Sequence, residues 1–203
     1  MPTKLLFLPG ASGNTSFWTP VSVLLTHPAR KVFLGWPGFG PTPQNPNVKG
    51  IKDLVKIAVA EIDQPTALIA QSMGGVVAIL AALEKPDLVT HLILTVTSGG
   101  MNVASFKAKD WRPRFQQANP TYPEWFATYH EDLTPELYKI TIPSLLLWGD
   151  ADPISPVGIG EKLASLLPNA SFHVFPGGDH DLANKLAKDL APLIDNHLSK
   201  SMA

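Results

Sequence analysis

The sequence contains no cysteine among its 203 residues, and that absence closes several chemistries at once. Disulfides, thiolate nucleophiles and cysteine-ligated zinc or iron–sulfur centres are excluded. The absence also suits a reducing compartment, and a cytoplasmic location is the expectation. An excess of either charge is lacking as well. Sixteen Lys and Arg stand against seventeen Asp and Glu, for a net charge of −1. Such a balance offers no broad field to draw in nucleic acid or an anionic membrane surface, so no nucleic-acid partner is expected. Long apolar runs are missing too. The first run, Lys4–Leu8, is stopped by Pro9-Gly10, too soon for the core of a signal peptide. No stretch approaches the length of a membrane span.

What remains is 45% hydrophobic and 16% charged, a composition that buries a core rather than staying disordered. The length fits one α/β domain spanning 1–203. Six short apolar runs predict strands: Lys4–Leu8, Lys31–Leu34, Ala67–Ala70, Leu92–Val96, Leu145–Trp148 and Phe172–Phe175. Each is apolar on both faces, as strands covered by helices on both sides require. Between them lie helical stretches at Phe17–Leu25, Ile51–Ile62, Gly75–Leu83, Gly160–Leu167 and Leu182–Leu198, the last bent near Pro192. Strand–helix alternation implies right-handed crossovers and a doubly wound, six-stranded parallel sheet. One segment breaks the rhythm. Residues 101–140 hold Trp111, Tyr122, Trp125 and Tyr129 with several prolines but no strand, and read as a small helical cap. An elongated helical crossover is the plainer alternative.

In an open parallel sheet, functional groups gather past the carboxyl ends of strands. Three reactive side chains stand there. Ser72 follows the third strand in Ala70-Gln71-Ser72-Met73-Gly74 and leads straight into a helix, whose free N–H groups and dipole favour a nearby anion. The N–H of Met73 would point toward an oxyanion forming beside Ser72. The plain alternative is a serine that caps the helix. His180 follows the last strand in Gly177-Gly178-Asp179-His180, where a solvated loop histidine is the alternative. Asp152 follows the fifth strand in Gly149-Asp150-Ala151-Asp152-Pro153, where it can orient an imidazole or simply start a turn. Asp150 competes for that role, with Asp152 preferred for its reach. The order Ser…Asp…His, each past a different strand, is the joint signal. The loop Pro9-Gly10-Ala11-Ser12-Gly13 can lend a second N–H, from Ala11, to an oxyanion hole.

These motifs resemble the α/β-hydrolase superfamily, and its small esterase and lipase-like members in particular, over nearly the whole chain. Leu8-Pro9-Gly10 stands where many relatives have His-Gly, with Trp18 downstream. Trp36-Pro37-Gly38-Phe39-Gly40 resembles the Asp-x-Pro-Gly-x-Gly loop. Gln71–Gly75 resembles the nucleophile elbow, Gly149 and Asp152 the Gly-x-x-Asp acid loop, and Gly178 and His180 the histidine loop. Ala70, Pro9 and Gly35 depart from the family pattern, replacing a glycine, a histidine and an aspartate. The resemblance implies a trimmed core with strand order 2-1-3-4-5-6. It also implies a serine esterase acting on a small or medium acyl ester through Ser72, His180 and Asp152. Trp111, Trp125, Phe126 and Tyr129 would line the substrate pocket or form the cap's own core. Such chemistry calls for no metal and no organic cofactor. An acyltransferase or thioesterase on the same residues, and a non-catalytic small-molecule-binding protein, stay open.

Phosphate-loop, dinucleotide and zinc-protease patterns fail. Gly10–Thr15 lacks the lysine, Gly38-Phe39-Gly40 lacks a third glycine, and Thr134 stands where His130-Glu131 would need a second histidine.

Overall fold

Leucine, isoleucine and valine dominate the runs that fold as central strands, and burial on both faces is what such runs demand. The computed structural model describes residues 1–201. Strands β1 (Lys4–Leu8), β3 (Thr66–Gln71), β4 (Val89–Thr95) and β5 (Ser144–Gly149) are buried at every position. Strands β2 (Arg30–Phe33) and β6 (Ala170–Phe175) flank them. All pairings are parallel, in the order β2-β1-β3-β4-β5-β6. This is the sheet and the order expected of a trimmed α/β-hydrolase core. The two outer strands differ from the expectation of apolar, covered runs. As edges they lack one neighbour, and Phe33 and Val174 stay exposed.

Helix α1 (Thr19–Ser22) is shorter than the predicted Phe17–Leu25, because Leu24 N–H turns back to the carbonyl of Val21 and tightens the chain out of the helix. Helix α2 (Ile51–Ala60) buries Ile51, Leu54, Val55 and Ala58 on one face, as its spacing requires. Helix α3 (Met73–Glu84) is buried along most of its length and lies across β1, β3 and β4, with α2 against it.

Between β4 and β5 come a 3-10 turn (Ala104–Phe106), α4 (Arg112–Ala118), α5 (Trp125–Thr128) and a second 3-10 turn (Thr134–Lys139), with no strand. Helix α6 (Val157–Leu166) packs on β5 and β6. The C-terminal helix is divided. α7 (Leu182–Lys185) and α8 (Ala187–Leu198) break at Leu186, whose φ −109° and ψ 30° are not helical. Pro192 sits inside α8 without ending it, so the break falls six residues before the expected bend. α8 packs against α1 and β5. Among the described residues no helix is long and apolar enough to cross a membrane.

The 101–140 segment is fixed to the sheet's carboxyl end by polar and aromatic contacts. Tyr122 Oη accepts from Gly40 N–H at 2.8 Å and donates to the Ser12 carbonyl at 3.2 Å. Lys109 N–H donates to Pro153 at 2.7 Å. Phe39 meets Tyr122, Trp125 and Phe126 edge to face.

Candidate active site

β3 ends at Gln71 and α3 begins at Met73, which leaves Ser72 alone on the turn. Its φ is 53° and its ψ −120°, a conformation that side chains disfavour and that persists only when the surroundings hold it. The holding groups are visible. Ser72 N–H donates to the Thr95 carbonyl at 3.0 Å. Its own carbonyl accepts from Gly75 N–H at 2.9 Å and from the Thr97 hydroxyl at 2.7 Å. The chain just before Thr97 is strained as well, with the buried, β-branched Val96 at φ 44°. Gly74 admits the loop after β1, since a Cβ there would fall 2.5 Å from the Pro9 carbonyl oxygen. The Ser72 hydroxyl makes no capping bond to the helix, so the plain helix-cap alternative does not describe it.

His180 and Asp152 meet. The Nδ1 of His180 lies 2.7 Å from Asp152 Oδ2. The Asp152 side chain is fully buried, and its Oδ1 accepts from Ile154 N–H at 2.8 Å, so both oxygens are engaged. With Nδ1–H donated to the carboxylate, Nε2 is the basic nitrogen. Asp150, its competitor, is exposed and accepts from Gly177 N–H at 2.7 Å. It ties the two loops together instead. Ala151 N–H adds a bond to the Gly178 carbonyl at 2.9 Å. The loops touch so closely that a Cβ on Gly149 would sit 2.1 Å from the Gly178 oxygen. Gln71 reaches across from β3, its amide N–H donating to the His180 carbonyl at 3.3 Å.

Ser72 and His180 line the same two cavities, of about 400 and 550 Å³, without a direct hydrogen bond between their side chains. In unliganded sites that bond is often long and tightens on substrate binding. Ala11 lines the smaller cavity and Met73 the larger. Neither N–H donates to a protein group among the described residues. The Ala11 loop is braced where the family's histidine is missing. Trp18 Nε1–H donates to the Leu8 carbonyl at 3.1 Å, and Trp36 Nε1–H to the Pro9 carbonyl at 2.8 Å. At Gly35, Thr42 Oγ1 occupies the space a side chain would need.

The expected pocket residues separate. Trp111 lines both cavities, and Phe126 and Tyr129 line the larger. Trp125 lines neither; it borders a distinct recess with Pro37, Pro46 and Pro123, and its ring packs on Phe39. Sequence reasoning did not find Thr97, Gln71, Phe17 or Phe115, whose roles arise from contacts between distant segments. Among the described residues, no three His, Asp or Glu side chains converge as a metal site would require.

A family model described as the alpha/beta hydrolase family matches residues 5–191. The chain belongs to that family. It is 25% identical over 212 residues to a pimeloyl-[acyl-carrier protein] methyl ester esterase of Legionella pneumophila (strain Paris), covering 87% of each chain. It is also 25% identical over 227 residues to a 2-hydroxy-6-oxononadienedioate/2-hydroxy-6-oxononatrienedioate hydrolase of Paraburkholderia phymatum, over 82% of this chain and 75% of the relative. A thermophilic esterase from Thermogutta terrifontis superposes with a TM-score of 0.77 at 21% identity, over 98% of this chain and 90% of that one. That last likeness shows the fold alone. Hydrolases, esterases among them, are thus what this alpha/beta hydrolase resembles along most of its length.

Proposed function

We propose that this alpha/beta hydrolase is a serine esterase that cleaves small or medium carboxylic esters through an acyl-enzyme. The observation that carries the reading is the buried Asp152 bonded to His180 at 2.7 Å, on the wall of the cavities that the strained Ser72 also lines. His180 Nε2 takes the Ser72 proton as Oγ attacks the acyl carbonyl. Asp152 fixes the tautomer and stabilises the imidazolium. The unclaimed N–H groups of Ala11 and Met73 hold the developing oxyanion, and loss of one such donor costs on the order of 100-fold in rate. His180 then protonates the leaving alcohol, and a water that it deprotonates releases the acid. The 101–140 segment acts as the cap, its Trp111, Phe126 and Tyr129 bordering the substrate. The esterase named among the relatives supports an ester as the bond cleaved. Transfer to an acceptor other than water, and thioester cleavage, use the same groups.

The test is labelling with a fluorophosphonate, read by intact mass on wild type and Ser72→Ala, followed by p-nitrophenyl esters of rising chain length. One adduct on wild type, none on the variant and turnover of the esters is the expected result. A folded wild type that takes no adduct overturns the esterase and leaves a non-catalytic binding protein.

A further inference from the structure

The main chain of His180 has few supports. Asp152 holds its side chain, but the residue lies outside any helix or strand, just ahead of α7. Its N–H donates to no protein group among the described residues. Its carbonyl accepts from the Gln71 amide at 3.3 Å, and among the described residues no other bond holds the main chain there. The ties to the acid loop fall upstream, at Gly177 and Gly178. Gln71 is well placed for such a bond. It is the last residue of β3, next to Ser72, and is 5% exposed. β3 is paired on both sides, with β1 and β4, so its end is a firm anchor. The two ends of the amide have separate places. Oε1 lies against Gly10 of the loop after β1, where a Cβ would collide with it. Nε2 faces the His180 carbonyl, and the opposite amide orientation would set oxygen against oxygen. The amide is thus wedged between the loop that carries Ala11 and the loop that carries His180.

We propose that Gln71 is a positioning residue, which ties the main chain of His180 to the strand that carries Ser72 and so keeps the imidazole Nε2 within reach of the Ser72 hydroxyl. One strand then carries the nucleophile and the anchor of its base. Gln71 acts through His180 and takes no part in the bond changes. The assignment rests on the esterase reading, in which His180 serves as base to Ser72 in acylation and to water in deacylation. Small displacements of such a base lower the rate steeply, because the reacting groups must be held in a near-attack geometry.

Gln71→Met tests it, since methionine has a side chain of similar length and no N–H to donate. Turnover of a p-nitrophenyl ester is followed in wild type and variant. The expected result is a fall in kcat of about 3- to 10-fold, the worth of one neutral hydrogen bond, with KM nearly unchanged. The fall appears whichever step is slower, because acylation and deacylation both draw on His180. Labelling of Ser72 by the fluorophosphonate should slow by a similar factor. Gln71→His should restore kcat, because an imidazole Nε2–H reaches about as far from the backbone as the lost amide N–H. Gln71 also lines the smaller cavity, so a residue that only shaped substrate binding would raise KM and leave kcat. A residue that only packed would lower the melting temperature and leave the kcat of the folded fraction intact. Either of those outcomes overturns the proposal, and so do equal losses of kcat in Gln71→Met and Gln71→His. Gln71→Glu keeps the shape and sets an acceptor against the His180 carbonyl. It carries the reading where Gln71→Met does not fold, and wild-type kcat in it is equally fatal. Wild type that takes the fluorophosphonate on Ser72 and turns over the ester, beside a variant that matches it, sinks this proposal alone. Wild type that does neither sinks the esterase reading beneath it.

Discussion

A histidine far from the candidate active site gives the sharpest stability test. His197, near the end of α8, is 1% exposed and meets His91 of β4 edge to face at 5.4 Å. Its Nε2–H donates to the Pro143 carbonyl at 3.3 Å, while Nδ1 is buried without a partner among the described residues. A second proton would place a charge in this buried site beside another imidazole. Burial first, then the neighbouring His91 and Lys200, push the His197 pKa down from 6.5 to about 4. The neutral ring is therefore the folded form, and the unfolded chain binds the proton more readily. The stabilisation is complete above about pH 6.5 and is lost as pH falls toward 4. Between pH 7 and pH 5 this one group withdraws about 2 kcal/mol, equivalent to a melting shift of about 4–8 °C for a chain of this size. The comparison is His197→Gln, whose amide replaces the Nε2 donor and does not titrate. Urea unfolding at pH 7 and pH 5 is followed by fluorescence of the buried Trp18, Trp36 and Trp148. Wild type should lose about 2 kcal/mol more than the variant between the two conditions. The His91 pKa is also lowered, chiefly by burial, so some slope persists in the variant. Equal losses in both proteins would refute the reasoning.

Three further outcomes follow from the site. Asp152→Asn should lower kcat by about 10³–10⁴-fold by freeing the wrong tautomer of His180, while Asp150→Asn should cost about tenfold or less; equal losses would reverse the assignment. Thr97→Val removes the hydroxyl that holds the Ser72 carbonyl at 2.7 Å, so kcat should fall with KM nearly unchanged, and Thr97→Ser should restore it. A purely structural threonine would move the melting temperature and leave the kcat of the folded fraction intact. Gly149→Ala forces the acid and histidine loops apart, and overpacking of this kind costs about 1–3 kcal/mol, checked by urea unfolding alongside a loss of kcat. Wild-type stability and activity in Gly149→Ala would mean the loops are free to separate.

Much of the fold is legible in the sequence because the central strands are short apolar runs, β1 stopped by Pro9 and β5 ending at Gly149. The residues past those ends are where the sheet delivers its chemistry. That logic brings His180 and Asp152 to one place and sets Ser72 on the same cavity walls. What one sequence does not reveal depends on partners distant along the chain. Edge exposure of Phe33 and Val174 follows from strand order, not from composition. The break at Leu186 is invisible beside Pro192, which carries the stronger helix-breaking signal yet sits inside α8. Trp125 and Trp111 look alike as cap aromatics, yet Trp111 lines both cavities while Trp125 borders the recess with Pro37, Pro46 and Pro123, a difference set by contacts with distant segments.

The departures from the family pattern show how such partners compensate. Pro9 removes a side chain that would brace the loop carrying Ala11, and a proline also has no N–H to offer. Both carbonyls beside it are nevertheless held, Leu8 by Trp18 and Pro9 by Trp36, through buried indole N–H groups. The same Pro9 carbonyl closes against Gly74 of the elbow helix. Trp36 therefore links the loop after β2, the loop after β1 and the start of α3 in one contact chain. A loop fixed from two sides holds the Ala11 N–H without the histidine, and under the proposed mechanism this is the preorganisation that an oxyanion hole requires. The departure at position 9 thus leaves the proposed oxyanion loop re-braced by two indoles.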